Sequence, residues 1–352
     1  MIIIAIMTDC IKRKDYIGLR SLRGIGAILI FYHHFGFDSA VTNSFGDLGV
    51  SLFFMLSGLV LSMTYSGDKL ECGSRVIGKF MKKRIFKIYP VYLLSLLVAV
   101  LVMGCNYKAL PFDLLLLQSW IPVASFYFSG NSVSWFVSSL FFLYLMFIPL
   151  QRRLTTDHNT FIKVFGFGAV LYFLIVYFIP EPLVNGIIYI NPIMELPTFV
   201  IGMLVWHFFE RSNQFQANSD KNILCLQVVS IILSVTFIYL YRYVNLRLTV
   251  ASFWWIPNAF LLTVLLLSEG RATPINHVLS LRIFRLIGDI SFTFYLFHTI
   301  VIAIYNRAIM HISINLPLFP SSLICLAITL AIAYALHYYV ELPIARKLKK
   351  FI

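Results

Sequence analysis

Stretches of about 20 apolar residues recur from end to end of this chain, more than a soluble fold can bury. By hydropathy they mark ten spans, at 22–38, 48–65, 88–104, 133–150, 162–179, 187–208, 222–241, 250–268, 286–306 and 318–340. Only 12% of the 352 residues are charged, against about 25% in a soluble domain. The strands of a membrane barrel would instead be about 10 residues long with alternating polarity. The expected fold is all-α: a polytopic integral membrane protein, one transmembrane domain over 1–352 with no appended soluble domain.

A net charge of +13 raises the question of nucleic acid, and the placement of the charge answers it. Between these spans, 24 of the 28 Lys and Arg fall on the side of both termini, leaving Lys108, Arg242, Arg247 and Arg307 opposite. The positive-inside rule then makes both termini cytoplasmic and the chain a multi-pass protein of the cell (plasma or inner) membrane. Its expected partner is the bilayer and not nucleic acid. The opening MIIIAIMTDCIKRK does not read as a signal peptide, because its short apolar run precedes the basic residues. Cys10, Cys72, Cys105, Cys225 and Cys325 are scattered without a CxxC pair, so neither a disulfide framework nor a metal site is expected. Leu110–Val123, with Pro111 and Pro122, is too short to span and reads as re-entrant or interfacial.

Ionisable residues inside a span are costly and by default mark function. Arg23 and His34 stand eleven residues apart, about three helical turns, so they share a face and lie roughly 16 Å apart along the axis. His33 is turned about 80° away. A neutral imidazole can take a hydroxyl proton and return it near neutral pH. The plain alternative is a packing histidine with Arg23 as a topology anchor. Arg84 and Lys87, i and i+3 at the mouth of the third span, suit a polyanionic phosphate, or are topology charges alone. Gly49 and Gly58 in GVSLFFMLSG suit close helix packing, with Ser57 able to bridge helices. Asp47, Ser57, Trp135, Glu195, Tyr295 and His298 complete the candidates for acceptor binding or for orienting His34. Glu341 reads as a structural partner for a nearby cation.

In this order and over nearly the whole chain, these segments resemble acyltransferase family 3. These membrane O-acyltransferases modify O-antigen, capsule, exopolysaccharide, Nod-factor and peptidoglycan sugars. The likeness rests on Arg23 with His34, on GVSLFFMLSG, on the basic mouth ending IYP, on WFVSSL and on SFTFYLFH. It implies acyl-CoA as a cytoplasmic co-substrate with no bound cofactor, and a hydroxyl of a surface glycan or lipid-linked sugar as acceptor. It further implies that His34 and Arg23 are catalytic, with Arg23, Arg84 and Lys87 holding the donor. The chain departs from the family pattern at Lys87, where a second Arg is usual, and at Ser51 and Leu140, where some members carry acids. With those acids missing, Asp38, Asp47, Glu195 and Asp289 are the carboxylates left to orient His34. A transporter or flippase for a glycan or anionic solute is the competing class, and a degenerate member acting as an assembly partner is a third. The oligomeric state is not legible.

Overall fold

The computed structural model describes residues 16–37, 39–66, 74–212, 219–250, 252–313, 316–348 and 350. Cys10, Asp38 and Cys72 lie outside the described residues. Among the described residues there are helices and no strands. A helix occupies each of the ten expected spans: α1 Ile17–His34, α2 Ala40–Thr64, α3 Ser74–Met103, α4 Trp135–Thr156, α5 His158–Phe178, α6 Leu196–Arg211, α7 Asp220–Leu240, α8 Trp255–Ser268, α9 Arg282–Ile312 and α10 Leu318–Leu336. Among the described residues, seven helices are long and apolar enough to cross a bilayer; α1, α6 and α8 are the shorter or more polar ones. The protein is an all-α polytopic membrane protein.

Local chemistry sets the boundaries. Ser39 caps α2 by accepting from the Thr42 amide at 3.2 Å, and Asp157 closes α4 while capping α5 through the Thr160 amide at 3.2 Å. The helix over the first expected span starts earlier than hydropathy suggests, at Ile17, because a carboxylate partner lets Arg20 enter it. It stops at His34, two residues before Gly36 with φ +99°. The expected span 187–208 is interrupted. Asn191 accepts from the Ile193 amide at 3.0 Å in a side-chain turn, and regular helix resumes only at Leu196.

The chain divides into two compact units. Unit 1 comprises Met1–Ile30, Asp38–Asp68 and Thr198–Ser291. Its apolar core joins Leu19 and Leu22 of α1, Met55 and Leu59 of α2, Trp206 of α6 and Leu262 and Leu265 of α8. Two glycines let α2 and α6 touch backbone to backbone. A Cβ on Gly58 would lie 2.0 Å from the Phe199 carbonyl oxygen, and one on Gly202 would lie 1.9 Å from that of Met55. The α1–α9 crossing is similar: a Cβ on Gly288 would lie 2.1 Å from the Arg20 carbonyl oxygen. At that crossing the Arg20 guanidinium forks onto the Asp289 carboxylate, with Nε donating to Oδ1 at 2.5 Å and a second donor on Oδ2. The pair neutralises two charges that would each be costly alone.

Unit 2 comprises Phe31–Phe37, Lys69–Pro197 and Phe292–Ile352. Here α3 packs on α4 through Phe80 stacked on Phe147, ring centroids 5.6 Å apart. The connection between these helices folds back in short pieces, Leu110–Leu114, Gln118–Trp120 and Ala124–Tyr127. It is fastened to α9 where Asn131 donates to the Leu296 carbonyl at 2.8 Å and Tyr295 to that of Val133 at 2.9 Å. Glu341 finds its partner in a π-turn, His337–Glu341. His337 Nδ1 lies 2.8 Å and Thr293 Oγ 2.6 Å from the same carboxylate oxygen.

Candidate active site

The last residue of α1 meets the middle of α9. His34 is exposed, and its Nδ1 lies 3.3 Å from Nε2 of His298, which is fully buried. Phe294 stacks on the His298 ring at 6.1 Å and 7°, and Tyr295 flanks it. The tautomers follow from the partners. His298 Nδ1 lies 2.6 Å from the Tyr295 carbonyl oxygen, which can only accept, so Nδ1 carries the hydrogen. Nε2 of His298 then holds a lone pair, His34 Nδ1 must be the donor, and the lone pair of His34 falls on Nε2. An exposed imidazole with its basic nitrogen set by a buried neighbour is the arrangement of a general base and its orienting group.

The same unit holds the basic mouth. Arg84 is 7% exposed, its guanidinium 4.9 Å from the Phe80 ring centroid and 5.4 Å from that of Tyr144. Its Nε is buried with no hydrogen-bond partner among the described residues. A desolvated guanidinium with an unspent donor suits an anion. Lys87 is half-buried, one turn further on. Trp135 is buried with its ring 4.8 Å from Tyr189, and Glu195 is buried as well.

The other expected site residues belong to unit 1. Arg23 is half-buried on α1. Asp47 accepts from the Tyr241 hydroxyl at 2.6 Å. Ser57 donates to the Phe53 carbonyl of its own helix at 2.7 Å, which is helix back-bonding. Of the carboxylates open as partners for His34, Asp289 is engaged by Arg20 and Asp47 by Tyr241. The residue beside His34 is a histidine.

The comparisons with known proteins bear on the family of the chain. The model of the acyltransferase domain of acyltransferase family 3 matches residues 16–338. The chain belongs to acyltransferase family 3. Within curated proteins it is 33% identical over 157 residues to Acyltransferase MdmB of Streptomyces mycarofaciens, covering 39% of each chain. It is 40% identical over 98 residues to Protein 2 in picA locus of Rhizobium radiobacter, covering 27% of this chain and 49% of that one. The matches thus span less than half the length of either relative. No solved structure matches the chain. The family model covers nearly the whole chain.

One group escaped notice in the sequence. Asp113 is fully buried between α3 and α4, and burial pushes its carboxyl up to about 7, with Ser129 pulling the other way and Tyr92 as its titratable neighbour. A carboxyl that keeps its proton to about pH 7 when folded, but loses it near pH 3.9 when unfolded, favours the folded state at low pH. Stability is therefore expected to fall as pH rises from about 4 to about 7, and to stay at the lower level above that. Asp113→Asn is expected to flatten that limb of a plot of Tm against pH. A wild-type limb that survives the substitution would contradict the assignment.

Proposed function

We propose that this family 3 enzyme moves an acyl group, most simply acetyl, from cytoplasmic acyl-CoA to a hydroxyl of a cell-surface polysaccharide or its lipid-linked precursor. The observation that carries the reading is the His34–His298 contact, which leaves a basic Nε2 on an exposed imidazole. His34 Nε2 takes the proton of the acceptor hydroxyl as its oxygen attacks the thioester carbonyl. The C–S bond breaks, the C–O bond forms, and the proton passes from His34 to the leaving CoA thiolate. While His34 is protonated, the His298 lone pair accepts from its Nδ1–H and steadies the imidazolium. Tyr295 holds His298 through its carbonyl and holds the 131–134 segment through its hydroxyl.

The donor's diphosphate is bound by Arg84 and Lys87 at a mouth on the side of both termini, which are cytoplasmic, and Arg23 keeps the donor role that the family resemblance implies. The unspent Nε of Arg84 supports this role. The pantetheine arm then runs into the membrane, and the roughly 16 Å of helix rise from Arg23 to His34 suits its length. The chain works as one multi-pass transmembrane domain in the cell membrane. Trp135, Glu195 and Tyr295 shape the acceptor side, and Ser57 serves helix packing.

Arg84 offers a direct test. Arg84→Gln is expected to raise KM for acetyl-CoA about 10- to 100-fold, the worth of a charge-assisted hydrogen bond. Arg84→Lys is expected to recover little, because a point charge on a flexible stem cannot reproduce a fork held between two rings. Steady-state thiol release measured against acetyl-CoA concentration checks both. An unchanged KM in Arg84→Gln would remove Arg84 from the donor site.

A further inference from the structure

Several hydroxyls inside the helices of this chain turn back on their own backbone. Ser57 donates to the Phe53 carbonyl at 2.7 Å, Thr236 to that of Ile232 at 2.8 Å, Thr263 to that of Ala259 at 2.8 Å and Thr329 to that of Cys325 at 2.7 Å. Each reaches four residues back, the usual outlet for a helical hydroxyl. Thr299 of α9 departs from them. Its Oγ1 is buried with no hydrogen-bond partner among the described residues, and the residue as a whole is half-buried.

The reason lies in the two carbonyls within its reach, those of Tyr295 and Leu296. A carbonyl oxygen has two lone pairs, and within an α-helix one of them takes the amide four residues on. The Tyr295 carbonyl gives its second to Nδ1 of His298 at 2.6 Å. The Leu296 carbonyl gives its second to Nδ2 of Asn131 at 2.8 Å. Both outlets for the Thr299 hydroxyl are therefore closed, one of them by the contact that fixes the His298 tautomer. A buried hydroxyl left without a partner is costly and calls for a use.

Placement supplies that use. Thr299 directly follows His298, whose Nε2 lies 3.3 Å from His34 Nδ1. It also stands one turn after Tyr295 on the same strip of α9, and the Tyr295 ring centroid lies 5.7 Å from that of His298. Helical side chains lean toward the N-terminus, so the hydroxyl falls back toward the level of the histidine pair. All of these residues belong to unit 2.

Acyl transfer from a thioester passes through a tetrahedral intermediate whose carbonyl oxygen becomes negative and needs donors. His34 deals with the proton of the incoming hydroxyl and leaves that oxygen unserved. We propose that the Thr299 hydroxyl donates a hydrogen bond to the thioester carbonyl oxygen, strongest when that oxygen is an oxyanion. This rests on the acyl-transfer reading above. No proton changes hands at Thr299. The acceptor oxygen bonds to the carbonyl carbon, the C=O π electrons move onto the carbonyl oxygen, and they return as the C–S bond breaks. A donor already unspent in the resting protein gives up no bond to do this, which is the economy of a preorganised site.

The test compares Thr299→Val, which keeps the branched shape without the hydroxyl, with Thr299→Ser, which keeps the hydroxyl. Thiol release from acetyl-CoA is measured in vesicles of the native membrane carrying the full chain and its own glycans, and Tm is measured in detergent. In Thr299→Val, kcat is expected to fall about 10²-fold with little change in KM for acetyl-CoA. Its Tm is expected to match or exceed that of wild type, because the hydroxyl removed had no partner. Thr299→Ser is expected to restore most of kcat. A Thr299→Val protein with the wild-type kcat overturns the proposal. Thr299→Ser as slow as Thr299→Val overturns it too, because the shape of the side chain and not its hydroxyl would then set the rate. Either failure, in a wild type that releases thiol, leaves the acyl-CoA reading standing. Wild-type vesicles that release no thiol would overturn that reading, and the oxyanion donor with it.

Discussion

Replacing His34 with Ala is expected to lower acyl transfer by about 10²- to 10⁴-fold, the usual worth of a positioned general base, while the protein stays folded and inserted. The expectation of a folded variant comes from the surroundings. His34 is the exposed last residue of α1, so its loss opens no core cavity. His298 is different, being wholly enclosed. His298→Phe fills the same space without the lone pair, and its rate is expected to fall between wild type and His34→Ala. Adding His298→Phe to His34→Ala is expected to cost little more, because an orienting group has no work once the base is gone. Fully additive losses in the double variant would show that the two histidines act separately.

The second large effect concerns assembly. Gly202→Leu is expected to leave little folded protein. The first atom of any side chain there would meet the Met55 carbonyl oxygen at 1.9 Å. That oxygen belongs to the backbone of α2 and cannot turn aside, so the two helices must separate. Separation also breaks the reciprocal contact of Gly58 with Phe199. Overpacking usually costs about 1–3 kcal/mol where side chains can yield, and more where backbone is the obstacle, against a total stability of about 5–15 kcal/mol. Gly166→Leu is the matched control, since a Cβ there meets nothing within 4 Å. Size-exclusion profiles and Tm in detergent, compared for the two variants, check the expectation. A Gly202→Leu protein as monodisperse and heat-stable as Gly166→Leu would contradict the packing described for α2 and α6.

The helices were legible because length and apolarity mark them: each expected span holds a helix, and seven of those among the described residues are long and apolar enough to cross a bilayer. The shared helix of Arg23 and His34 was legible for the same reason: both lie on one continuous element, where spacing alone fixes direction. The partner of His34 was not. His298 lies 264 residues away, and periodicity along one helix says nothing about which helix packs against it. His298 stood among the candidates for acceptor binding or for orienting His34, but spacing could not single it out from the others or from the four acids, of which Asp289 is engaged by Arg20. That pair itself escaped the sequence, since Arg20 read as one more positive-inside charge. Asp113 left a signal that was passed over: it is the one charged side chain in the apolar stretch Leu110–Val123, which is too short to span. The candidate site residues also divide between the two units, with Arg23, Asp47 and Ser57 in one and the histidine pair, Arg84 and Lys87 in the other. Linear order hides that division, because α1 and α9 each run through both.

The central claim is acyl transfer from CoA that depends on His34. The most direct measurement follows label from acetyl-CoA into membrane glycans, in vesicles holding equal amounts of wild type and His34→Ala. The expected result is label in the wild-type glycan fraction, with equimolar release of CoA thiol, and neither above background in His34→Ala. Equal labelling by the two proteins would contradict the role of His34, and label from neither acetyl-CoA nor longer acyl-CoA donors would contradict the proposed donor.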